Sequence, residues 1–168
     1  MRCLLTSLFF ILLFSGCAAK PDPFHLAGKK HGVNPKTLKA ISVVESGGQD
    51  NILYVNSWLF KGPHKFDNWF TTNLYMDLVL DPFFQNYDIG MCQINSQWID
   101  KFDLDNEDLL DRYINVDAAA RIYKYNVRVC KGEIYCALSM YNTGYKHSTI
   151  GLKYAKKVLR ARKKLFGR

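Results

Sequence analysis

Three short segments hold the side chains whose types and spacing could do chemistry. Glu45 closes the run Leu38-Lys39-Ala40-Ile41-Ser42-Val43-Val44-Glu45. On a helix, Leu38 and Ile41 lie seven and four residues before it, so the carboxylate shares a face with two aliphatic side chains. A carboxylate there costs free energy unless it is paired, neutral or useful. Desolvation raises a carboxyl pKa, which is what a general acid working near neutral pH needs. The plain alternative is a helix-end residue reaching out to water. The second segment is Tyr87-Asp88-Ile89-Gly90-Met91-Cys92-Gln93-Ile94-Asn95-Ser96. If it is extended, Gln93 and Asn95 point to one face. Two planar amides can hydrogen-bond sugar hydroxyls and acetamido groups. The alternative is that Asn95 caps the following helix while Gln93 satisfies local backbone. The third segment, Ala137-Leu138-Ser139-Met140-Tyr141-Asn142-Thr143-Gly144, reads on its own as a helix that stops at Asn-Thr-Gly.

The elements that must position these residues are mostly helical. Pro23 to Lys30 suits a first helix, stopped near Gly32. Asn34 can cap the next, Pro35 suits its first turn, and Gly47-Gly48 stops it just after Glu45. Residues 49–87 are rich in Asn, Asp and aromatics, without a sustained helical period. Ile52 to Val55 and Trp69-Phe70 read as strand-like, Gly62-Pro63 as a turn, and Asn73 to Leu80 as an alternative helix. From Ser96 onward the expected helices are Ser96 to Phe102, Glu107 to Arg112, Val116 to Val129, Tyr135 to Tyr141 and Gly151 to Leu165. Asp117 is well placed for a positive helix end. The expected fold is α+β, mostly α, with a small β-like insertion after the helix that carries Glu45.

The chain has 168 residues, 48% of them hydrophobic and 14% aromatic, which is enough for one domain with a core. Residues 1–19 read as an export signal: Arg2, an apolar run from Leu4 to Phe14, then small residues from Ser15 to Ala19. Phe14-Ser15-Gly16-Cys17 resembles a lipobox in which Cys17 is lipidated; ordinary cleavage after Ala19 is the alternative. The folded domain is then 20–168, periplasmic after export, and any membrane attachment is through that lipid. An oxidising compartment makes Cys130 and Cys136, which flank a short turn-like stretch, the first choice for a disulfide. Cys92 is left as a small buried thiol. The scattered His25, His31, His64 and His147 read as solvated surface residues, and no spacing suggests a metal site or a cofactor. The net charge of +8 gathers near the end of the chain, between Lys153 and Arg168. An anionic envelope polymer is a better partner for that helix than nucleic acid.

Taken together, Glu45-Ser46, Gly90-Met91-Cys92-Gln93-Ile94-Asn95, Tyr141-Asn142-Thr143-Gly144 and Tyr154 resemble, in order, the motifs of the lysozyme-like lytic transglycosylases. The resemblance covers roughly Phe24 to Leu159. Departures are Cys92 for Met, Ser139-Met140 before the Tyr, and a longer stretch between Glu45 and Gly90. The Asp-Ile-Gly before the Gln looks like the small members that serve secretion, conjugation and pilus machines.

The resemblance implies a lysozyme-like fold and a peptidoglycan substrate. Glu45 would protonate the glycosidic oxygen between N-acetylmuramic acid and N-acetylglucosamine, then act as base to give a 1,6-anhydro product. Gln93, Asn95, Tyr141 and Asn142 would hold the sugars and the Glu45 carboxylate, Tyr154 would pack beside it, and Ser46 would orient local backbone. The segment from Asp88 to Ser96 also looks like the strand of animal lysozymes that bears their second carboxylate. Glu45 and Asp88 would then form a hydrolase pair. A third reading is a peptidoglycan-binding scaffold in a transenvelope machine, with Trp58, Trp69, Phe70 and Trp98 stacking on sugars.

Overall fold

The computed structural model describes residues 20–56, 61–79 and 86–167. The segment read as an export signal, with Cys17, lies outside the described residues, as does Trp58. Helix α1 spans Pro23–His31 and α2 spans Pro35–Ser46. Asp22 and Asn34 cap them by accepting from Phe24 N and Lys36 N, and each helix has proline at its start. Gly47 ends α2 in the left-handed region (φ 70°), where a Cβ would be strained.

Four short strands follow, interrupted by a helix: β1 (Ile52–Val55), β2 (Gly62–Lys65), α3 (Trp69–Val79), β3 (Tyr87–Ile89) and β4 (Ile94–Asn95). They form one antiparallel sheet in the order β2-β1-β3-β4, with Leu53 opposite Ile89 and Asp88 opposite Asn95. A 3-10 turn over Ser96–Trp98 leads into the one-turn helix α4 (Ile99–Phe102). A second 3-10 turn, Glu107–Leu110, precedes α5 (Arg112–Val129), and α6 (Ile134–Thr143) and α7 (Thr149–Phe166) complete the domain. The fold is α+β, mostly α, and lysozyme-like.

The core joins both parts. Leu38 and Ile41 of α2, Leu53 and Ile89 of the sheet, Val116 and Ala119 of α5, Leu138 of α6 and Val158 of α7 are fully buried. Helix α7 buries Gly151, Tyr154, Ala155 and Val158, a stripe at helical spacing, and leaves its basic residues outward except Arg162, which is half-buried and donates to Thr37 of α2. At Gly151 a Cβ would run into Ser139, so α6 and α7 meet at backbone distance and Ser139 acts as one of the small residues of that contact.

Several local expectations change. Trp69-Phe70 opens α3 rather than forming a strand, because the Asn68 side chain accepts from Thr71 N at 3.0 Å and starts a helix. Gly62-Pro63 belongs to β2, not to a turn. That strand lies at the sheet edge, where a proline without N–H is tolerated. The Glu107 and Ser96 segments tighten into 3-10 turns. Asp111, not Asp117, caps α5, accepting from Tyr113 N and Ile114 N. Asp117 instead pairs with Lys30 and His31 of α1, each at 2.8 Å, so His31 is a largely buried partner rather than a solvated residue. His64 is likewise engaged, by the Tyr75 hydroxyl.

Candidate active site

The last turn of α2 carries Glu45 on the same side as the buried Leu38 and Ile41, where the helix meets α7. Protein surrounds the carboxyl while one edge opens onto a cleft. The Tyr154 hydroxyl, brought in from α7, donates to Glu45 Oε1 at 2.6 Å. Burial pushes the carboxyl from its ordinary 4.5 up to about 7; the Tyr154 hydrogen bond opposes the rise, and the charge of Asp88 adds to it. An acid that titrates near neutrality is poised to give a proton and take one back.

The next residue has a different task. Ser46 Oγ donates to Met91 O at 2.8 Å and to Ser42 O at 3.1 Å, and accepts from Gly48 N and Gln49 N. It thereby ties the end of α2 to the turn that joins β3 and β4. That turn is held from two other sides. Tyr141 of α6 donates its hydroxyl to Cys92 O at 3.0 Å. Asn115 of α5 accepts from Cys92 N at 2.8 Å and donates to Ile89 O and Leu109 O. Gly90 (φ 76°) packs where a Cβ would strike the Asn115 amide and the Leu109 carbonyl. Cys92 is a fully buried free thiol, and burial pushes its pKa up.

This clamped turn presents Gln93 in the left-handed region, φ 50°. Gln93 therefore does not share an extended face with Asn95. The expectation of two aligned amides on one strand gives way to a turn residue followed by a strand residue, because Gly90 to Gln93 reverses the chain. Gln93 Nε2 donates to Gly90 O at 2.8 Å, so its amide does satisfy local backbone, and the residue still lines the cleft. Asn95 has two tasks as well. Its Oδ1 accepts from Gln97 N and caps the 3-10 turn, while its Nδ2 donates to Asp88 Oδ1 at 2.9 Å and Asn86 Oδ1 at 3.0 Å. Asn95 thus holds the second acid, Asp88, rather than Glu45. Burial raises the Asp88 pKa, and the Asn95 hydrogen bond partly offsets this.

Glu45, Asp88, Gln93, Asn95, Tyr141 and Asn142 all line one cleft of about 1060 Å³. Ser46 and Tyr154 support it from behind. The cleft is also lined by residues that sequence reading did not single out as binding groups: Tyr54, Asn56 and Asn86 on the sheet side beside Asp88, and Lys101, Tyr125 and Asn126 from α4 and α5. For the first three the sequence signal was the abundance of Asn and aromatics in the insertion. Trp98 lines the cleft; Trp69 and Phe70 are exposed on α3 and are not among its lining residues. Cys130 and Cys136 are disulfide-bonded and join the end of α5 to the start of α6. Glu133 and His147 lie close to Cys136, but its sulfur is committed to that bond and Glu133 caps α6 with both oxygens. This trio is therefore not a free ligand set.

Two partly enclosed acids, Glu45 and Asp88, in an amide- and aromatic-lined cleft on a lysozyme-like fold are the arrangement expected of a protein that acts on a glycan chain. The chain matches the family model of the transglycosylase SLT domain over residues 22–163, and it belongs to that family. Membership supports a peptidoglycan-directed function of the lytic transglycosylase type. Among curated proteins nothing matches the chain.

Proposed function

We propose that the protein is a lytic transglycosylase that cleaves the bond between N-acetylmuramic acid and N-acetylglucosamine and leaves a 1,6-anhydromuramyl end. The observation that carries this reading is Glu45, buried, bonded to Tyr154, and raised to about 7. Protonated, it delivers its proton to the glycosidic oxygen and the leaving sugar departs as an alcohol. The substrate's own acetamido oxygen stabilises C1, so a second protein carboxylate is not required. The resulting Glu45 carboxylate then takes the proton of the muramyl 6-hydroxyl as that oxygen bonds to C1, and the acid is restored. Gln93, Asn95, Tyr141 and Asn142 position the sugars, Tyr141 through the turn that it holds.

A hydrolytic reading uses Asp88 as the second acid. One observation favours it: Asp88 lines the same cleft and its charge reaches Glu45. Against it stands the commitment of Asp88 to Asn95. Two variants separate the readings on purified sacculi. Glu45→Gln is expected to abolish release of soluble fragments, and Asp88→Asn to keep substantial activity. A folded but inactive Asp88→Asn supports the hydrolase instead.

The reading extends to place and setting. Residues 1–19 direct export to the periplasm, with Cys17 lipidated or the signal removed after Ala19. The domain then remodels the wall locally for a transenvelope secretion, conjugation or pilus machine. The outward basic face of α7 suits an anionic envelope polymer.

A further inference from the structure

Trp98, Lys101 and Tyr125 line one side of the cleft; of the cations gathered around the aromatic rings there, Lys101 lines the cleft itself, and Arg121 and Arg128 lie behind and beside it. Trp98 stacks on Phe102 with ring centroids 5.4 Å apart and meets Tyr125 edge-on at 6.2 Å. A cation lies over each ring: Lys101 Nζ 4.6 Å from Trp98, the Arg121 guanidinium 3.7 Å from Phe102, and the Arg128 guanidinium 5.7 Å from Tyr125. Arg121, Tyr125 and Arg128 recur at helical spacing on α5, so these two cations share one face of that helix with the Tyr125 ring between them. None pairs with a carboxylate of the described residues; Asp117, one turn before Arg121, is taken by Lys30 and His31. The aromatic rings hold these charges in place without neutralising them.

A second observation on the same wall asks for the same kind of ligand. Asn126, only 2% exposed, lines the cleft beside Tyr125, and its Nδ2 is buried with no hydrogen-bond partner in the protein. A buried unpaired donor is unfavourable until an acceptor reaches it. Unpaired cations and an unpaired donor together select an acceptor-rich anion.

In peptide-bearing strands the lactyl carboxyl of N-acetylmuramic acid is tied up as an amide, so the anionic groups are the free carboxylates of the peptide stem. We propose that the wall formed by Trp98, Lys101, Tyr125 and Asn126, with Arg128 beside it over the Tyr125 ring, receives this stem, so that the protein prefers peptide-bearing glycan to bare glycan. The inference rests on the peptidoglycan-cleaving reading above and adds a specificity determinant to it.

The test compares initial rates on solubilised peptide-bearing strands and on the same strands stripped of peptide by an amidase, with the lactyl carboxylates that this frees capped as methyl amides. Exposed ion pairs give up to about fivefold each, and the factors multiply, so two cations predict a preference of up to about 25-fold. The double reversal Lys101→Glu with Arg128→Glu should bring the ratio of the two rates towards one, and raised salt should shrink it in the wild type. Asn126→Leu should lower the same ratio while raising the melting temperature, because it removes the unpaired donor. Equal rates of the wild type on both strands, or equal losses by the reversal variant on both, overturn the proposal. Absence of cleavage of either strand by the wild type instead refutes the reading on which it rests.

Discussion

Replacing Glu45 with Gln should make the protein more stable, and only above a definite pH. The folded-state pKa is about 7 and the ordinary carboxyl value is 4.5. A carboxyl whose folded pKa is raised holds its proton more tightly in the native state. Its contribution to stability is therefore fully present below about pH 4.5 and is lost as the pH rises through 7. The full gap corresponds to about 3 kcal/mol, at ~1.4 kcal/mol for each pH unit. Gln is close in shape to the protonated acid, and its oxygen can still accept from Tyr154, so the variant should match the wild type near pH 4. Above pH 7.5 it should exceed the wild type by about 3 kcal/mol, an order-of-magnitude figure for so enclosed a group. Urea denaturation of both proteins at pH 4, 6 and 8 reads the difference through the midpoint at constant slope. A difference that does not change with pH refutes the claim that burial keeps Glu45 protonated.

Three further outcomes follow from particular contacts. Tyr154→Phe removes the hydrogen bond that holds the Glu45 pKa down, so the alkaline limb of the kcat/KM profile should move to higher pH, with a stability loss of about 1–3 kcal/mol by denaturation. Gly90→Ala places a Cβ on the Asn115 amide and the Leu109 carbonyl at a left-handed φ; it should cost about 3 kcal/mol or more in thermal unfolding and disturb the turn that presents Gln93. Replacing both Cys130 and Cys136 with Ser removes a short loop closure and should cost about 2 kcal/mol, while activity at low temperature is kept.

What could be read from the sequence was local. Asn34-Pro35 and Gly47-Gly48 bracket α2 through cap chemistry that involves neighbours in the chain, and the spacing of Leu38 and Ile41 already put Glu45 on their face. The strand Ile52–Val55 and a helix over Gly151 to Leu165 were legible for the same reason. What could not be read depends on partners far away. Asp117 looked like a helix-end acid, yet α1 supplies Lys30 and His31 to it across the fold. Asn115 lay just before the expected helix and was given no role; its amide satisfies Cys92 N and Ile89 O from more than twenty residues away, and Leu109 O nearby, and so fixes the turn. Gln93 was aligned with Asn95 by assuming an extended chain, although Gly90 signalled a turn. The cations on the aromatic wall were hidden because Trp98, Lys101 and Phe102 meet Arg121, Tyr125 and Arg128 only after α4 packs on α5.

The central claim is that Glu45 works through the muramyl 6-hydroxyl rather than through water. Its most direct test is the mass of the fragments that the mature protein releases from purified sacculi. Muropeptides one water lighter than their hydrolytic counterparts, and resistant to borohydride reduction, are the predicted result. Fragments with reducible muramyl ends would contradict it and assign the second step to an activated water beside Asp88.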